Sequence, residues 1–150
     1  MTAMSPEAAN FNWLLDNFVK SVPGVRHTLV VSADGLLMAM SDELDRTSGD
    51  QLSAIVAGLS SLTRGAARQL HSGEVRQSIV EMDTQFLFLM AISDGSVLAV
   101  TADATCDVGM VGYEMALLVS RSEATLTPNL VSEMRSRLPM SGPTRSSMAG

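Results

Sequence analysis

The sequence predicts an α/β domain of the α+β kind: a five-stranded antiparallel sheet with one long helix on one face and the terminal helices on the other. Three observations predict it. The element signals run helix, two strands, helix, three strands, helix, and the links inside each strand group are short enough that those strands must be antiparallel neighbours. The long middle helix is then the crossover joining the two groups. Two strand segments, Gln85 to Ser93 (QFLFLMAIS) and Ser96 to Ala102 (SVLAVTA), show almost no polar alternation, so the sheet must be covered on both faces. Finally, 150 residues, 46% hydrophobic and 17% charged, are enough to bury a core unaided and too apolar to be disordered.

In chain order, Ser5 suits a helix N-cap, Pro6 the first helical position and Glu7 the positive end of the dipole. Phe11, Leu14, Leu15 and Phe18 give this helix one apolar face, and Val22-Pro23-Gly24 ends it. Val25 to Ser32 reads as a strand, Ala33-Asp34-Gly35 as a tight turn and Leu36 to Met40 as the antiparallel partner. Ser41 to Ser48 is a polar connection.

The middle helix spans Asp50 to Leu70. Leu52, Ile55, Val56, Leu59, Leu62, Ala66 and Leu70 fall on one stripe at helical spacing and are expected to dock on the core. The opposite side reads Ala54, Ala57, Gly58, Ser61 and Gly65 before Arg68, and is almost uncharged. Gly58 and Gly65 each weaken an isolated helix by roughly 1 kcal/mol relative to Ala, so an outside contact is expected to compensate. Small side chains at this spacing admit a second backbone. The expected second body is the same helix of another subunit, with Ala54, Ala57, Gly58, Ser61 and Gly65 at the dimer interface; the alternative is a small-residue face left to water. Ser72-Gly73 closes the helix.

Val75 to Met82 alternates partly and is expected at a sheet edge, whereas Gln85 to Ser93 is expected at its centre. Asp94-Gly95 makes the turn into Ser96 to Ala102. Asp107 caps a last regular helix running to about Glu123, with Val108, Val111, Met115, Leu118 and Val119 facing the core and Met110, Tyr113 and Leu117 on a back that is expected to be partly covered. Thr127-Pro128 opens a short helix, Asn129 to Leu138, stopped by Pro139. The domain is thus expected over 1–138, with 139–150, rich in Ser, Gly and Pro, as a flexible tail.

Charge and motifs exclude several functions. A net charge of −6, with ten Lys and Arg never adjacent, argues against a nucleic-acid partner. The longest apolar run, Phe86 to Ile92, is far short of the roughly 20 residues of a transmembrane helix, and the start lacks a secretory signal. With one cysteine no internal disulfide forms, so the expected location is cytoplasmic, with any membrane association arising through partners. His27 and His71 lack a second His or Cys at ligand spacing, so no metal or other cofactor is expected. Cys106 precedes a helix whose dipole could make the thiol reactive, against the plainer reading of an incidental buried thiol. Asp34-Gly35 and Asp94-Gly95 are turn chemistry. No phosphate-loop motif is present. Met38, Met40, Met82, Met90, Met110 and Met115 fill gaps or adapt to partners. Arg64 and Arg68, flanking the small-residue face, are candidate partner contacts, the alternative being two solvated arginines.

The order of elements, the Val-Ser-Ala-Asp-Gly-Leu hairpin within Val25 to Leu37, the Ala/Leu-rich middle helix, and Asp94-Gly95-Ser96-Val97-Leu98-Ala99-Val100 leading to Cys106-Asp107-Val108-Gly109 resemble the roadblock/LC7 family, with its profilin-like architecture. The likeness runs from about Phe11 to Glu123 and is strongest to actinobacterial proteins encoded in conservon operons beside a Ras-like GTPase. The resemblance implies a homodimer in which middle helices pair and edge strands can join two sheets. It also implies regulation or scaffolding of a small GTPase in signalling, with other proteins of the same operon as further partners, and no catalytic residues. On that footing Arg64 and Arg68 are candidate GTPase contacts. Two other classes stand beside it: a PAS-like small-molecule sensor without catalysis, and an enzyme with Cys106 as nucleophile.

Overall fold

The computed structural model describes residues 6–93 and 95–125, with side chains over 11–93 and 95–123. Its elements are α1 (Pro6–Ser21), β1 (Val25–Val31), β2 (Leu37–Met40), α2 (Arg46–Gln69), β3 (Gln77–Glu81), β4 (Gln85–Ala91), β5 (Val97–Asp103) and α3 (Val108–Thr125). The Ser5 cap, the helix over 129–138 and the tail lie outside the described residues.

The five strands form one antiparallel sheet in the order β2-β1-β5-β4-β3. β1 meets β5 from Val25 opposite Ala102 to Val31 opposite Val97, so the first strand lies directly against the last. α2 carries the chain from one edge, β2, to the other, β3. The interior position expected for Gln85 to Ser93 is correct, but the middle strand is β5, which has four consecutive buried residues, Val97 to Val100.

Strand alternation divides the core into two layers. Phe88, Leu98, Val100 and Ala102 face α1 and α3, packing with Phe11, Leu15, Phe18, Val111, Met115 and Leu118. Leu29, Val31, Leu87, Leu89, Val97 and Ala99 face α2, packing with Val56 and the half-buried Leu52 and Leu59. Gly24, at φ +88°, lets the chain turn out of α1 into β1, and its carbonyl accepts the Asp103 N–H at 2.8 Å.

Two expectations for the middle helix need correction. The helix starts at Arg46, four residues before Asp50, because Asp45 caps it: the Asp45 carboxylate accepts the Ser48 N–H at 3.2 Å. Arg46 then pairs with Asp50 one turn on, at 2.9 Å, a continuation that an apolar period cannot reveal. The inward face keeps Leu52, Val56 and Leu59 of the predicted stripe but not its other large residues. Gly49, Ser53, Val56 and Ala67 are the buried residues, whereas Ile55 is 59% exposed, Leu62 75% and Leu70 72%. At Gly49, in its first turn, the helix lies so close to Leu37 and Met40 that a larger residue would not fit without a shift. A β-carbon on Gly49 would stand 3.0 Å from Leu37 Cδ2 and 3.1 Å from Met40 Sδ.

β3 is the expected edge strand, pairing among the described residues with β4 alone, and it leaves Ile79 exposed. Asp107 caps α3 through its carboxylate and the Met110 N–H at 3.1 Å. Val111, Met115, Leu118 and Val119 are buried and Val108 is half-buried, while Met110, Tyr113 and Leu117 are exposed in this chain, contrary to the partial cover expected for them.

Candidate interaction surfaces

The outer face of α2 is the most distinctive surface. Ala54, Gly58 and Ser61 are exposed and Gly65 is half-buried. A β-carbon added to Gly58 would meet nothing within 4 Å, and one on Gly65 only the Arg68 guanidinium at 3.9 Å. Ala57 departs from the group, because its methyl lies over the β1–β2 turn, where a β-carbon on Gly35 would come within 3.2 Å of it. In exchange, Ile55 and Leu62, expected inside, join the outer face. The result is a ridge of apolar side chains beside glycines. Periodicity alone missed this, because the face richest in large apolar residues was taken to be the one against the sheet.

Among the described residues the titratable side chains singled out in the sequence lie apart from one another. His27, on β1, stands opposite Thr101 of β5, and His71 is exposed at the end of α2. Among the described residues no group of three or more His, Cys, Asp or Glu is placed to hold a metal ion. Asp34 accepts a short hydrogen bond from the Ser32 hydroxyl, and Gly35 N–H donates to the Ser32 carbonyl at 3.0 Å, so this carboxylate organises its own turn. Cys106 is half-buried against the α1/α3 layer. Burial first, then the charges of Asp103 and Asp107, push its thiol upward, the reverse of the activation a helix dipole would give. No described helix is long and apolar enough to cross a membrane.

Arg64 and Arg68 are exposed on the flank of α2, as expected. They do not stand alone. Together with Arg76, just before β3, they line a groove of about 750 Å³ bounded by the C-terminal half of α2, the segment from Gly73 to Ser78, the far end of the β4–β5 hairpin and Ala116, Val119 and Glu123 of α3. Arg76 had no signal in the sequence, since only the turn through His71 (φ 53°) and Gly73 (φ +82°) brings it beside the helix.

The profile of the Roadblock/LC7 domain family matches residues 11–102. The chain belongs to the roadblock/LC7 family. A solved roadblock/LC7 domain from Streptomyces avermitilis is 37% identical over 75% of this chain and 94% of its own, with a TM-score of 0.72. Two more distant structures share the fold. MglB with tetrameric arrangement is 14% identical and covers 89% of this chain and 96% of its own, with a TM-score of 0.73. LokiProfilin1, solved with rabbit actin, is 11% identical over 83% and 100%, with a TM-score of 0.53, in keeping with a profilin-like architecture. No curated protein sequence matches this roadblock/LC7 domain.

Proposed function

We propose that this roadblock/LC7 domain is a non-catalytic homodimeric module that binds a Ras-like small GTPase and regulates or scaffolds it in a signalling system, of the kind found in conservon operons. The observation carrying this reading is the outer face of α2, where Ile55 and Leu62 stand exposed beside Gly58 and Gly65, with Arg68 at its margin. Such a face on a helix is an interface signature. A second copy laid against it would cover both leucine-sized ridges, with the glycines allowing close backbone approach. The free edge of β3 offers a second, weaker contact through which two sheets can join. The assembly of the distantly similar MglB into a tetramer agrees with self-association through this fold. Neighbouring proteins of the same operon are further candidate partners, and the dimer binds no cofactor in this reading.

The test has two parts. Sedimentation velocity on the purified chain should give a dimer at micromolar concentration. Adding it to a Ras-like GTPase encoded beside it should form a complex and change nucleotide release or GTP turnover. A monomer that leaves both rates unchanged and forms no complex would overturn the reading.

A further inference from the structure

The groove holding Arg64, Arg68 and Arg76 has a chemistry of its own. Its floor is apolar, with Leu89, Ile92 and Val97 among the side chains reaching it, and the three arginines are exposed around it. The remaining described arginines are engaged. Arg26 Nη1 donates to Asp103 at 2.9 Å, Arg46 Nε donates to Asp50 at 2.9 Å, and Arg121 also has a partner. Arg64, Arg68 and Arg76 have none among the described residues. In a chain of net charge −6, the described arginines that lack a counter-ion among the described residues thus line one cavity.

Two carboxylates among the described residues also line it, and neither pairs with the cluster. Glu123 Oε2 accepts the Ser93 N–H at 3.0 Å, and neither Glu123 nor Glu74 comes within ion-pairing distance of the three guanidinium groups. A guanidinium is weakly hydrated and presents a planar fork that matches a carboxylate, so three of them around an apolar floor select an occupant carrying both carboxylates and apolar side chains. We propose that this groove receives an acidic stretch of a partner polypeptide, its carboxylates on Arg64, Arg68 and Arg76 and its aliphatic side chains along the apolar lining. The proposal stands on the groove alone and holds whatever the partner protein is.

The probe is a fluorescein-labelled peptide of Glu-Glu-Leu repeats, titrated with the full-length protein and read by fluorescence anisotropy at low salt. The peptide should bind, bind more weakly as salt is raised, and outbind both a Lys-Lys-Leu peptide and a Glu-Glu-Ser peptide of equal length. Arg64→Gln, Arg68→Gln and Arg76→Gln combined should weaken it by on the order of tenfold, the sum expected of three exposed charge pairs. Arg26→Gln, at an exposed arginine outside the groove, should leave binding unchanged. All three positions are exposed, so the triple variant keeps its fold, and its circular dichroism and thermal midpoint verify that. A triple lysine variant, keeping charge without the fork, should fall between. Equal binding by the triple glutamine variant, no binding at low salt, or a Glu-Glu-Ser peptide as tight as the leucine one would each overturn the proposal. Displacement of the peptide by citrate at equal carboxylate concentration would also overturn it, and would reassign the groove to a small anion.

Discussion

Gly24 and Cys106 meet back to back: a β-carbon on Gly24 would lie 2.8 Å from Cys106 Cβ and 3.3 Å from its Cα. The contact joins the turn before β1 to the loop before α3, clamping the two ends of the sheet's α1/α3 layer together. It combines a left-handed backbone at φ +88° with an approach to another backbone that cannot yield as a flexible side chain would.

Gly24→Ala should therefore destabilise the fold by about 2–4 kcal/mol, from left-handed strain plus overpacking. Urea unfolding followed by circular dichroism measures it. Stability within experimental error of the parent would show that this junction relaxes freely.

The same junction sets the behaviour of the thiol. Burial, with Asp103 and Asp107 adding to it, holds Cys106 protonated above the ordinary thiol value of 9.0. Alkylation by iodoacetamide should accordingly be slow at neutral pH and accelerate only with a midpoint above that of a free thiol. A midpoint below it would revive a nucleophilic role, and Cys106→Ser should leave partner binding unaffected.

Asp45 supplies an acid-side titration. Hydrogen bonds from Ser48, side chain first and backbone second, hold its carboxyl below the ordinary value of 3.8. With a lowered folded value, the stabilisation it provides is fully present above 3.8 and is lost as pH falls through the lowered value. Asp45→Ala should lower the thermal midpoint at neutral pH by a few degrees and shrink that difference in strong acid. Asp45→Asn, which caps without titrating, should restore most of the midpoint. A difference constant from neutral pH to strong acid would show that the cap carboxylate does not titrate this way.

The outer face of α2 can be tested without harming the monomer. Gly58→Leu adds a side chain into open space and raises helix propensity by roughly 1 kcal/mol. Leu62→Glu charges a residue that is 75% exposed. Both should give folded monomers in sedimentation velocity at concentrations where the parent is paired. Dimers persisting in both variants would move the interface elsewhere, β3 first.

The division of elements was legible in the sequence because turn residues and caps are local. Asp107, Gly35 and Gly95 of the β1–β2 and β4–β5 turns and Pro23 all mark their boundaries by their own conformational preferences. The two-sided burial of the sheet followed from the unbroken apolar run of β4. What failed was orientation. Periodicity sees how apolar a face is, but not how near the sheet lies, and it therefore placed Ile55 and Leu62 inside where Gly49 and Ser53 belong. Ala54, Gly58, Ser61 and Gly65 do lie on the outward side of the helix, while Ala57 is turned toward the β1–β2 turn. Arg64 and Arg68 were visible as charges beside an uncharged face. Arg76 joins them only through the fold of the segment from Gly73 to Ser78, which no local signal encodes.

The pairing of β1 with β5 has a consequence for how the molecule comes into being. The middle strand of the sheet is the last of the described strands to be synthesised, and until Val97–Asp103 leaves the ribosome the hairpin of β1 and β2 lacks its β5 neighbour. Closing that distant pairing is a slow, high-contact-order step. During translation β1 therefore exposes Leu29 to Val31 along an open edge, and a nascent chain stalled before Val97 would be a client for chaperones.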